Sequence, residues 1–206
     1  MTEKGLSKKS VKKPKLKVIT TPDERLRRRS TKARYDDPEV AKIIEEMRLN
    51  TLEWEKEHEH ELSAAMAAPQ LGINKRIIIV REDFDDKDNQ NYIALLNPEI
   101  IKTEGKIVED YEGCLSVPKY YGLVPRPEKV KVKAFLEDGK EVRIKADGFL
   151  ARTLQHEIDH LEGVLFIDLI KDKPEAWFYI DDKDGELKPV EDFSEVRDNK
   201  DLWPDE

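Results

Sequence analysis

The sequence predicts an α+β fold: antiparallel sheets around a central helix, with an N-terminal helix packed outside. Three observations lead there. Short segments rich in β-branched residues recur between residues 76 and 167. Two of them flank Asp138-Gly139, a pair suited to a tight hairpin turn. Two further segments, after Asp37 and around residues 149–161, carry apolar residues at helical spacing.

The elements follow in chain order. Residues 1–15 are rich in Lys and Ser and are expected to be a basic, disordered extension. Asp36-Asp37-Pro38 opens a helix, with an acidic cap and proline in the first turn. Val40, Ile43, Ile44, Met47, Thr51 and Trp54 then share one face. The helix ends in a charge run, 53–61, whose His58 and His60 read as solvated. Residues 76–80, 92–100 and 106–109 read as three strands, the last leading toward Cys114. Residues 129–136 and 140–144 alternate apolar and polar side chains on either side of the Asp138-Gly139 turn. After the central helix, Gly163 is the expected C-cap, and residues 164–167 read as a further strand closing the core. Residues 177–180 and 186–190 flank Asp184-Gly185, a candidate extra hairpin.

At 206 residues the chain accommodates one domain with tails. The expected division is a basic extension at 1–15, a central domain at 16–172 and an acidic extension at 173–206. The charge is polarised. Residues 1–34 carry thirteen Lys or Arg against three acids, whereas residues 175–206 carry twelve acids against four bases. Solvated ends are the bland reading. The sharper one is a transient contact of the basic end with ribosomal RNA. No run is long enough to span a bilayer, and no signal-like apolar stretch follows Met1. With Cys114 as the only cysteine, a reducing cytosol is expected, an organelle being the alternative. Neither membrane nor DNA is an expected partner.

The central helix carries His156-Glu157-Ile158-Asp159-His160, an H-E-x-x-H motif. Residues four apart lie about one turn apart, so both imidazoles face the same way and can hold one metal ion. Glu157 would sit beside the ion as a proton acceptor. Two of the chain's four histidines fall at this spacing, which argues against coincidence. Phe149, Thr153, His156 and His160 share one helical face, while Leu150, Leu154, Ile158 and Leu161 form a separate apolar stripe. A catalytic site of this type takes a third protein ligand and keeps one position open. Cys114 is a candidate, although a lone cysteine is most often a small buried hydrophobe. A thiolate with two imidazoles suits Fe(II), Zn, Co or Ni.

Glu112-Gly113-Cys114-Leu115-Ser116 followed by Gln155-His156-Glu157-Ile158-Asp159-His160 resembles the peptide deformylase family. Ser63-Ala64-Ala65-Met66-Ala67-Ala68-Pro69-Gln70 matches in part a third family motif, G-x-G-x-A-A-x-Q. The likeness runs over roughly residues 16–172. It implies a metal-dependent hydrolase that removes the N-formyl group from the starting methionine of new proteins. Cys114, His156 and His160 would hold one divalent ion, Fe(II) by expectation with Zn, Ni or Co as substitutes. Metal-bound hydroxide would attack the formyl carbon with Glu157 as general base. Gln70 and the Leu115 backbone N–H would stabilise the oxyanion. The formylmethionyl peptide would add as a strand along Ala64, Ala65 and Met66 and along the stretch 117–122, including Tyr121 and Gly122. Phe149 and Thr153 would help wall the methionine pocket. Asp159 and Arg126 are a candidate supporting pair, and Glu112 a candidate orienting group. Ser63 and Ala65 stand where the family motif has glycines, so the added Cβ at 65 is expected to narrow the cleft or shift its backbone.

Two rival readings remain. One is a zinc peptidase whose third ligand is an acid downstream, such as Glu162 or Asp168. The other is a non-catalytic peptide-binding module.

Overall fold

The computed structural model describes residues 13–58, 62–86, 88–181 and 185–203. The expected disorder of the basic end therefore falls almost wholly outside the described residues, as does His60.

A short 3-10 turn, Glu24–Arg27, precedes α1, Pro38–Glu57. The Asp37 carboxylate caps α1 by accepting from Glu39 N–H, and proline stands in the first turn. The strands are β1 (Ala65–Ala67), β2 (Ile77–Arg81), β3 (Tyr92–Cys114), β4 (Val117–Phe135) and β5 (Glu141–Asp147). The second helix, α2, spans Gly148–Glu162 and ends at Gly163 in the left-handed conformation, φ +77°. A Cβ there would also strike the Arg27 carbonyl, so this position requires glycine. Two more strands, β6 (Trp177–Ile180) and β7 (Leu187–Pro189), and a short α3 (Ser194–Arg197) complete the described chain.

All pairings between these strands are antiparallel, in the order β1-β2-β3-β4-β6-β7. β4 is long enough to hold two neighbours on one edge. Its later half, residues 129–135, carries β5, and its start, Tyr120 to Gly122, carries β6. β2 shows how the core is divided. Ile77 and Ile79 pack with Val40, Ile44 and Met47 of α1, whereas Ile78 and Val80 pack with Leu154, Ile158 and Leu161 of α2. Alternate side chains of a strand point to opposite faces, so one strand serves both layers. A third cluster, around Phe166, Ile170, Trp177, Val196 and Leu202, fastens β6 and the segment around α3 to the start of β4.

Three expectations are corrected. The strands read at 92–100 and 106–109 are one continuous β3. Residues 101–106 hide this, because the ribbon there is exposed and shows no apolar alternation, and register shifts interrupt it. Residues 164–167 do not form a strand; Phe166–Leu169 is a 3-10 turn. Asp168 accepts from the Leu165 N–H at 2.7 Å, which closes the turn, and the apolar run reflects burial rather than sheet. His58 is not a freely solvated side chain. It is half-buried, stacks on Trp54 with ring centroids 4.3 Å apart, and its Nδ1 bonds the Trp54 carbonyl.

Candidate active site and metal centre

Helix α2 projects His156 and His160 from adjacent turns, and β3 ends at Cys114 beside them. The thiol and the two rings each offer a ligand atom, and all three atoms lie within 4.8 Å of one another. Cys114 Sγ is 3.3 Å from His160 Nε2. His156 gives its Nδ1 to the Glu112 carboxylate at 2.9 Å, so its Nε2 is left for the cluster. His160 is buried and its Nδ1 has no hydrogen-bond partner. One sulfur and two imidazole nitrogens converging in this way fit a divalent transition-metal ion. Glu162 and Asp168, the acids a peptidase-type site would recruit, are engaged elsewhere. Glu162 pairs with Arg29 and Arg76, and Asp168 with Arg27.

Glu112 organises the surroundings. It accepts from Arg126 Nε at 2.6 Å, Arg126 Nη2 at 2.9 Å and Arg152 Nη1 at 2.6 Å, as well as from His156. Burial alone would raise its pKa, but the bonds from His156 and Arg126 outweigh that and hold it well below the usual carboxylate range. Arg126 also reaches Asp159 at 2.8 Å, and Arg152 donates to the Val124 and Val108 carbonyls. One cluster therefore joins the ligand helix to both strands of the β3–β4 ribbon.

The two histidines are driven in opposite directions. Burial would lower the pKa of His156, yet its bonds to Cys114 and Glu112 raise it well above the ordinary value. Burial, followed by the charge of His156, lowers that of His160 well below. Glu157 is buried, with one carboxylate oxygen unbonded. Burial pushes its pKa up to about 7, which suits a group that exchanges protons near neutrality.

Gln70 is buried beside the ligands. Its Oε1 accepts from the Ala67 N–H at 2.9 Å, which turns its Nε2 toward Cys114 Sγ at 3.5 Å and Ser116 Oγ at 3.4 Å. Leu115 and Ser116 form the two-residue turn between β3 and β4, where Cys114 faces Val117. A strap from the N-terminal side ties both loops. Ile19 N–H donates to the Gln70 carbonyl and Thr21 N–H to the Ser116 carbonyl, each at 2.8 Å.

These groups open on a cleft of about 780 Å³. Ala64, Ala65, Gln70, Cys114, Leu115, Tyr121, Phe149, Thr153, His156 and Glu157 all line it. Met66 and Gly122 do not; the Gly122 assignment is corrected, whereas Met66 withholds only its side chain, since β1 is the edge strand and pairs with β2 alone. Met66 is fully buried and points into the α1 side of the core, as alternation along β1 requires once Ala65 faces the cleft. Gly122 is paired on both edges, with Glu112 of β3 and Trp177 of β6. A Cβ there would meet Ile170 and Phe166 at under 3 Å. The stretch 120–122 cannot accept an incoming strand because β6 already occupies its edge. Gly113 is needed for a related reason: the Tyr121 ring lies where its Cβ would stand, 2.5 Å away.

The substituted glycines cause no backbone strain. Among the described residues, the non-glycine positions with positive φ are Asn97 and Lys119, so Ser63 and Ala65 adopt ordinary conformations. Ser63 is instead held by its main chain. Its N–H donates to Glu55, its carbonyl accepts from the Tyr92 hydroxyl, and buried Arg81 joins Glu55 to Tyr92. Sequence reasoning missed this cluster, and it missed Arg152. Arg152 had a signal: it stands four residues before His156, on the ligand face of α2.

The family model described as polypeptide deformylase matches residues 15–176. A peptide deformylase of Thermomicrobium roseum is 42% identical over 172 residues, which is 82% of this chain and 93% of that protein. Peptide deformylase 2 of Clostridium acetobutylicum is 41% identical over 148 residues, 72% of this chain and 90% of its own length. Among solved structures, the Synechococcus elongatus peptide deformylase in complex with actinonin aligns at TM-score 0.68 and 39% identity, covering 78% of this chain and 83% of that one. A Met-Ala-Ser-bound class I type b peptide deformylase from Acinetobacter baumannii aligns at TM-score 0.66 and 32% identity, covering 75% and 98%.

Proposed function

This chain belongs to the polypeptide deformylase family, and on that premise we propose that it hydrolyses the N-formyl group from the starting methionine of newly made peptides, releasing formate. The observation that carries the reading is the convergence of Cys114, His156 and His160 beside a buried Glu157 with a free carboxylate oxygen.

Cys114 Sγ and the Nε2 atoms of His156 and His160 would hold the ion, with iron(II) as the proposed native metal and zinc, nickel or cobalt as substitutes. When bound, such an ion acts as a Lewis acid, making water nucleophilic near neutral pH and polarising the formyl oxygen. The substrate backbone pairs with the cleft-facing edge of β1 at Ala64 and Ala65. Its methionine side chain enters beside Phe149 and Thr153. Water oxygen bonds to the formyl carbon while Glu157 accepts a water proton. Gln70 Nε2 and the Leu115 N–H donate to the oxygen that gains charge. Glu157 then passes the proton to the amine nitrogen as the carbon–nitrogen bond breaks. Glu112 keeps the His156 ring oriented throughout, and its bonds with His156 and Arg126 keep it ionised.

The Met-Ala-Ser seen on the Acinetobacter baumannii protein is the corresponding deformylated tripeptide, and it supports a peptide occupant for this cleft. The test is formate release from formyl-Met-Ala-Ser by anaerobically purified, metal-analysed protein, beside Glu157→Gln. Turnover that falls by about 10²- to 10⁴-fold in the variant, with metal content retained, supports the assignment. Equal turnover in both proteins refutes it. Contact of the basic end with the ribosome, and a cytosolic setting, belong to the same proposal; co-sedimentation with ribosomes tests the first.

A further inference from the structure

Part of the cleft wall comes from outside the family match. The match ends at residue 176, yet Tyr179, Ile180, Val190 and Glu195 line the same cleft as Gln70, Cys114 and Glu157. This segment is no loose tail. Trp177 is fully buried and its Nε1 donates to the Ile170 carbonyl at 3.1 Å. Val196 and Leu202 are buried with it. β6 pairs with β4 at Tyr120 to Gly122, a few residues beyond the turn that follows Cys114. Phe178 meets Tyr111, another lining residue, edge-on at 4.9 Å.

What this wall presents is chemically specific. Tyr179 is 36% exposed, and Glu195 is exposed at the first turn of α3. Both line one cleft, and an accessible aromatic face and a carboxylate each suit a cationic side chain, through cation–π contact and ion pairing. The surrounding segment reinforces this. Residues 175–181 and 185–203 carry eight acids against three bases, while Lys119 is the exposed lysine lining the cleft. A formylated peptide anchored at β1 with its methionine beside α2 must leave the site along some wall, and this one borders the ligand turn.

We propose that the C-terminal segment is a specificity wall, on which Tyr179 and Glu195 read the peptide side chains downstream of the methionine and favour Lys or Arg over Asp or Glu. The proposal rests on the deformylase reading.

The test compares kcat/KM for formyl-Met-Ala-Lys-Ser and formyl-Met-Ala-Glu-Ser, and for the pair carrying the charge one residue later. The wild-type protein is expected to prefer the lysine peptide at one of these positions. Glu195→Lys should lower that preference by about fivefold, the scale of one exposed ion pair, chiefly through KM, with Glu195→Gln intermediate. Tyr179→Leu should weaken the lysine peptide more than the glutamate peptide. Calorimetric Kd values for the deformylated peptides should move in the same direction, independently of turnover. Identical Lys/Glu ratios in wild type and Glu195→Lys, by both rate and binding, overturn the wall. Absence of formate from every peptide in metal-loaded protein overturns the deformylase reading, and only then does the wall fall with it.

Discussion

Two buried arginine clusters border the cleft, and they hold different things. Arg126 and Arg152 surround Glu112, which in turn fixes a side chain, the His156 ring. Arg81 joins Glu55 to Tyr92, and those two fix a main chain, the N–H and carbonyl of Ser63. Buried ion pairs are poor sources of net stability, because desolvation offsets most of the attraction. Their use twice around one cleft is better explained by geometry. The first cluster sets where a metal ligand points, and the second sets where a substrate-pairing segment runs. Chemistry and binding therefore rest on separate supports.

The strongest way to break that contrast is to remove what the first cluster serves. Cys114→Ala should leave two imidazoles unable to retain an ion through purification. Metal per chain, read by elemental analysis, should fall toward zero, and formate release should drop by about 10³-fold or more. Retention of a full metal complement would show that the thiol is not a ligand.

Next comes the support itself. Glu112→Gln leaves buried Arg152 without a carboxylate and Arg126 with Asp159 alone, and it loosens the His156 ring. Metal affinity, measured by chelator competition, is expected to weaken by about 10- to 100-fold. Unfolding free energy should fall by about 3 to 5 kcal/mol, measured in urea. Arg81→Met is the matching variant on the other side. Its stability cost should be similar, about 3 kcal/mol, but the functional signature should be a raised KM with metal affinity unchanged. If Arg81→Met loosened the metal as much as Glu112→Gln did, the two supports would be one.

The last effect leaves function aside and concerns protons. In the folded, metal-stripped protein, burial raises the Glu157 pKa from 4.5 to about 7. The native state then holds a proton that the unfolded chain has already released, so stability falls as pH rises between those values. Relative to wild type, metal-stripped Glu157→Gln should gain up to about 3 kcal/mol across that window and stay level above it. Urea midpoints at pH 4.5, 6 and 8 measure the gap. A gap that is constant with pH would mean that Glu157 titrates normally.

Local signals carried much of the fold. The Asp37-Pro38 start of α1, the Gly163 stop of α2 and the Asp138-Gly139 turn are all set by residues within a few positions, and all are observed. The histidine pair was legible because four residues make a turn. β3 was not legible as one strand, because its exposed middle, from Lys102 to Lys106, has no apolar face to alternate. The burial of the Met66 side chain was not legible either, because nothing local tells which face of a three-residue strand meets the core. The Glu55–Arg81–Tyr92 cluster spans three elements distant in sequence. No spacing rule announces such a cluster, since only folding brings its members together.

The strap at Ile19 and Thr21 gives the front of the chain a role its composition does not suggest. Two amides, two residues apart, staple the loop bearing Gln70 to the turn bearing Ser116. Assembly of the reaction centre thereby depends on a stretch that contributes no reacting atom. A chain clipped after Thr21 would keep every ligand and the base, yet lose the clasp that keeps its two loops in register.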